Sequence, residues 1–210
     1  MEFFKLSLLK TLYFNLYYFK GKKFPFRVYR DVKIGKMGKP DCISLEQDAC
    51  RILVGKNGSF ALGQTTYWDV ADTAKMIFKG NATFSKGTQL VVSGHVTFGK
   101  NFSCNSNCIL NAGKSVLFGD DVLIGWNALV IDGDGHEIGQ KNGTFNEKYE
   151  EIQIGNHIWI ASYAKILKGT RISDDSVVAM NALVSKSFEE TNILIGGINK
   201  KLNTNIDWRK

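Results

Sequence analysis

Residues 154–186 read IGNHIWIASYAKILKGTRISDDSVVAMNALVSK, and their rhythm decides the fold. Aliphatic residues recur at every sixth position: Ile154, Ile160, Ile166, Ile172, Val178 and Val184. Four residues after each of the first five stands Ile158, Ala164, Thr170, Ser176 or Ala182, mostly small. Neither a helix of 3.6 residues per turn nor an alternating strand produces a period of six. A chain that turns a corner every six residues does, with one apolar side chain per hexad pointing inward.

Upstream the same pattern runs on a longer coil. Phe78, Phe98 and Phe118 are twenty apart, as are Phe84, Cys104 and Ile124, and Leu90, Leu110 and Val130. Each such coil is three hexads plus two residues. Stacking coils at the spacing of hydrogen-bonded strands, about 4.8 Å, turns these columns into a continuous apolar ladder. Glycines and asparagines (Gly99, Asn101, Gly119, Gly125, Asn127, Gly155, Asn156) are expected at the corners, where positive φ is needed. The rhythm breaks between Val130 and Ile152, at Asp-Gly-Asp-Gly-His (132–136) followed by a polar stretch. Such a break projects a loop from a rigid scaffold, where function concentrates.

The segments FGDDVLIGWNALVIDGDGHEI and 154–186 resemble the hexapeptide-repeat acyltransferases, over about residues 76–200, and most of all the sugar and polysaccharide O-acetyltransferases related to the galactoside and maltose enzymes. The resemblance implies an all-β fold, a left-handed parallel β-helix with an N-terminal helix. The expected organisation is an N-terminal helix and basic arm (1–24), irregular β-rich coils (25–75), the β-helix core (76–200) with loop 132–151, and a C-terminal tail (201–210).

The same resemblance implies the chemistry: an acetyl-CoA-dependent transfer to a sugar hydroxyl by direct attack in a ternary complex. It makes His136 the general base, a task an imidazole suits near neutral pH. Asp132 or Asp134 is expected to orient its ring, and Asn105, with Asn107 as the lesser choice, to position substrate; both asparagines also suit left-handed corners. Trp126 could stack on a sugar ring or be buried against a neighbour. Carried over residue by residue, the acetyl-CoA groove falls on Ala161, Ser162, Ala179, Met180, Ser185 and Lys186. The family's closing Gly-x-Pro-Ala-Lys is here Gly197-Ile198-Asn199-Lys200-Lys201, which keeps the glycine and leaves Lys201 as a phosphate partner. Because the family completes each site from two chains, a homotrimer acting on a carbohydrate acceptor is expected. N-acetylation of an amino sugar and a purely structural trimeric solenoid are the alternatives.

Composition narrows the field further. The chain has 210 residues, 44% of them hydrophobic, and a net charge of +7. Residues 1–40 hold ten Lys or Arg against two acids, whereas the remainder is nearly neutral. Nucleic-acid binding is therefore not expected, since it needs a basic groove on the folded body. No metal is expected either: three histidines (His95, His136, His157) lack the spacing of a zinc site, and Gly143 stands where a calcium loop needs Glu. Cys42, Cys50, Cys104 and Cys108 show no disulfide framework and are read as reduced thiols, with Cys104 and Cys108 core residues rather than nucleophiles.

The first twenty residues read as one helix with a narrow polar stripe, Ser7, Thr11, Asn15 and Tyr18, and a wide apolar side followed by Lys20, Lys22, Lys23, Arg27 and Arg30. That wide side is expected either to pack on the rest of the protein or to lie on an anionic membrane. No run of 18 apolar residues predicts a membrane span, and a signal peptide fits poorly, so a cytoplasmic location with possible contact at the inner membrane face is expected.

Overall fold

The computed structural model describes residues 5–58, 64–141 and 143–209. Among them, strands stack into three sheets of nine, seven and seven, and each coil contributes one strand to each. The result is a three-sided shaft. Its first face includes Phe102–Cys104, Leu123–Ile124, Trp159–Ile160 and Val177–Val178; its second, Ile109–Ala112, Leu129–Ile131, Lys165–Leu167 and Leu183–Val184; its third, His95–Phe98, Ser115–Phe118, Ile152–Ile154 and Arg171–Ile172. All pairings between coils are parallel, and the register puts the expected columns in line: Phe78↔Phe98↔Phe118, Phe84↔Cys104↔Ile124 and Leu90↔Leu110↔Val130.

The twenty-residue spacing has an energetic reason. Phe98 lies 5.0 Å from Phe78 and 5.7 Å from Phe118, with ring planes 18° and 10° apart. Parallel stacking of like rings every coil packs this side of the shaft. The corners are polar and just as regular. Asn101, Asp121, His157 and Asp175 take positive φ at one edge, and Asn107, Asn127, Tyr163 and Asn181 at another. Side chains bridge the coils there: Asp120 Oδ1 accepts from the Lys100 amide at 2.7 Å, Asn156 Oδ1 from Asp120 at 2.8 Å, and Asp174 Oδ1 from Asn156 at 2.7 Å. Backbones approach closely at Gly99, where a Cβ would lie 2.0 Å from the Gly119 carbonyl oxygen.

The ladders extend back to Phe26–Val28 through longer coils with register shifts at Ile34/Met37 and Val54/Lys56, so irregular coils of the same three faces precede residue 76. At the other end Lys200–Asn203 folds back antiparallel on Leu194–Gly196. Beyond it Trp208 stacks on His157 at 4.3 Å and donates Nε1–H to its carbonyl at 2.9 Å. The expected tail is thus a return strand and a docked indole.

The N-terminal helix, α1 (Leu8–Phe19), does not follow the first of the two expected placements, in which its wide apolar side packs on the rest of the protein. Residues 1–4 of the expected helix lie outside the described residues. Ser7 caps the helix, and the buried residues are Thr11, Phe14, Asn15 and Tyr18, which include most of the polar stripe. The cause is the first strand's open edge, whose backbone groups would otherwise be unpaired. Thr11 Oγ1 accepts from the Val28 amide at 2.9 Å; Asn15 accepts from the Phe26 amide and donates to its carbonyl, both at 3.1 Å. Phe14 and Tyr18 supply the apolar part of the seal, packing on Phe26, and Trp68 donates to the Tyr18 hydroxyl at 3.1 Å.

Candidate functional site

The interruption of the hexads begins at Asp132. This residue is fully buried, and its carboxylate accepts from the backbone amides of Gly113, Lys114 and Ser115 at 2.6, 2.7 and 2.8 Å. It therefore pins the departing chain to the corner of the coil before. From there residues 133–141 and 143–149 form an arm that doubles back on itself, bridged antiparallel at Gly133↔Tyr149 and Gly139↔Phe145. The Tyr149 ring lies against Gly113 and Gly133, and a Cβ on either would fall within 2.3 Å of it. Lys168, from the same edge one coil further along the chain, braces the arm's root through Asp134 at 2.6 Å, Glu150 at 3.6 Å and the Glu147 carbonyl. The Asp134 carboxylate holds the Lys168 ammonium above the usual lysine range.

His136 stands exposed in this arm. Neither aspartate expected to orient it is committed to that task. Asp132 is spent on three amides and Asp134 on Lys168, because the chain's exit needs an anchor on each side.

A groove of about 530 Å³ runs along the first face. Asn105 and Trp126 meet in it, together with Asn81, Asn101, Thr83 and Ser103. Asn101 was read from the sequence only as a corner, and the other three were not singled out, although the signal was there. At the outward position of the first face, Thr83 and Ser103 stand in register with Leu123 and Trp159, so the face changes from polar to apolar along the shaft. Asn107 sits instead at the corner, with φ of 65°.

The register also sorts the expected donor residues. Gly125, Ala161 and Ala179 follow the inward positions Ile124, Ile160 and Val178, which places Trp126, Ser162 and Met180 next to one another along the edge between the first and second faces. Ser162 is buried and Met180 is 67% exposed. Ser185 and Lys186 lie on the other edge, between the second and third faces, as does the arm carrying His136. Asn199 holds Ser185 through its amide and hydroxyl, at 2.8 and 2.9 Å. Lys201 is paired with Glu190 at 2.7 Å, an exposed pair of little net strength. A face six residues wide separates the two edges by roughly 15–20 Å. Within one chain, then, His136 and the Asn105–Trp126 groove stand on different edges.

Cys104 and Cys108 are buried as expected, and Cys108 donates to the Gly125 carbonyl at 3.0 Å. Its hydrogen bond with Cys104, then burial, push its thiol far up, which keeps it protonated. Among the described residues no three or more His, Cys, Asp or Glu side chains cluster as metal ligands would.

Known proteins share this architecture. The galactoside O-acetyltransferase of Escherichia coli (strain K12) is 31% identical over 105 residues, 50% of this chain and 51% of that enzyme. Over those residues the chain is similar to the hexapeptide-repeat acetyltransferases. It spans about half the length of that relative. No protein-family model matches it. The crystal structure of the polySia specific acetyltransferase NeuO superposes with a TM-score of 0.55 at 16% identity, over 88% of this chain and 84% of that one. The likeness gives the fold and its hand, a left-handed parallel β-helix.

Proposed function

We propose that the protein is an acetyl-CoA-dependent O-acetyltransferase of a glycan hydroxyl, assembled as a homotrimer whose sites lie between chains. The observation that carries this reading is the division of the site residues between two edges of the shaft. A neighbouring copy that sets its second–third edge against the first–second edge of this chain brings a His136 to the Asn105–Trp126 groove. It also brings Ser185 and Lys186 to Ala161, Ser162, Ala179 and Met180. Cyclic assembly repeats one such contact until the ring closes.

In such a site His136 removes the proton of the acceptor hydroxyl as its oxygen attacks the thioester carbonyl of acetyl-CoA. The tetrahedral oxyanion collapses, the carbon–sulfur bond breaks, and the departing thiolate takes the proton back from the imidazolium. The groove's amides and hydroxyls, repeated over successive coils, match an extended saccharide, and Trp126 offers it an aromatic wall. The small side chains of Ala161 and Ala179 leave room for the pantetheine arm.

The test is thiol release from acetyl-CoA with a panel of glycans and amino sugars, run beside thermal unfolding. Acetyl-CoA at about 100 times Kd should stabilise wild type and His136→Ala alike by about 2.7 kcal/mol. Turnover should fall about 10²–10⁴-fold in His136→Ala alone. Full turnover in that variant, or no stabilisation of either protein, would overturn the reading; turnover restricted to amino sugars would move it to N-acetylation.

A further inference from the structure

We propose that the outer face of α1 docks the protein on an anionic membrane surface. This goes beyond the acetyl-transfer reading and does not depend on it. The inward side of the helix is fixed by the Thr11 and Asn15 bonds to the first strand, so its apolar residues are left outside. Leu8 is 71% exposed, Leu9 83%, and Leu12, Tyr13 and Leu16 close to one half. At 100° per residue these five cover one side of the helix, about 140° wide.

Charge decides what covers that side. Lys5, one turn before the helix, and Lys20, its left-handed C-cap, stand exposed at the two ends of the stripe, followed by exposed Lys22 and Phe24. Beside the helix, Lys10, Arg30, Lys33 and Lys86 line a cleft of about 450 Å³ whose one acid, Asp31, is paired with Lys86 at 2.9 Å. From residue 5 to residue 39 the chain has ten basic residues and one acid. A second copy is a poor cover, because a two-fold pairing of this stripe would set lysine against lysine with no acid in the helix's first turn. Leucines that enter the headgroup boundary, ringed by lysines that meet anionic lipid, satisfy both features together.

Vesicle flotation tests the proposal, with neutral phosphatidylcholine vesicles compared with vesicles in which about a third of the lipid is phosphatidylglycerol. The full chain should float with the anionic vesicles and stay behind with the neutral ones. Leu9→Glu/Leu12→Glu/Leu16→Glu and Lys5→Glu/Lys20→Glu/Lys22→Glu should each lower the bound fraction about tenfold or more, with unfolding temperatures unchanged. Should the leucine triple variant lose its folded signal, Leu9→Glu alone, at the most exposed position, carries the same comparison. Equal binding to both vesicle types, or binding indifferent to the leucine substitutions, overturns the proposal. So does a fall in particle mass of the leucine variant in vesicle-free solution, which would give this face to a second copy.

Discussion

Asp132 and His136 sit four residues apart and are expected to respond to truncation in opposite ways. Asp132→Ala strips three backbone amides of their acceptor at the corner of the preceding coil, at a cost on the order of 3 kcal/mol. For a domain of this size that is a fall of roughly 6–12 °C in unfolding temperature. His136→Ala, on the exposed arm, should leave the unfolding temperature within about a degree, since exposed positions away from such features change stability little. Differential scanning fluorimetry of the two variants separates the roles, and equal shifts would contradict them. The sequence placed both residues at the break in the hexads. It did not show that Asp132 faces inward, because Asp-Gly-Asp-Gly is silent about which corner of the coil before it meets. The phenylalanine column was legible for the opposite reason: a strict spacing of twenty leaves one register in which like rings stack.

Among elements, the arm 133–149 and α1 differ in how far a pattern could describe them. The arm was visible as an interruption, and its root depends on Lys168, a residue that no periodicity marks. Lys168→Met should release that root, seen as faster amide exchange across 133–149 with exchange elsewhere in the shaft unchanged. The pH dependence has a definite sign. The folded-state pKa of Lys168 is raised, chiefly by Asp134, so its contribution is complete below the ordinary lysine range and is lost as pH rises through the higher folded value. Amide exchange of the arm, normalised to that of the shaft, should therefore hold steady from neutral pH until that alkaline limit. Helix α1 was legible as a helix, yet its orientation was not. Amphipathic pattern assigns the apolar side to the interior by default. Here the open backbone edge of the first strand outweighed it, and Thr11 and Asn15 turned inward to serve that edge.

For the whole molecule, the separation of His136 from the Asn105 groove makes a prediction that a single-chain site does not. Co-refolded His136→Ala and Asn105→Ala chains, each inactive alone, should regain about a quarter of wild-type turnover per site. That is the statistical share of interfaces at which an intact histidine meets an intact groove in a randomly mixed ring. No recovery at a confirmed trimeric mass would place the site within one chain.

The seal made by Thr11 and Asn15 also governs how the shaft ends. A stack of parallel coils has no intrinsic length, for its terminal rung offers the same row of amides and carbonyls that every rung below has already used. Left open at Phe26–Val28, that row would template the next molecule, and the shafts would grow end to end into fibres. With the rung capped by side chains of its own helix, the first strand has little left to offer another chain.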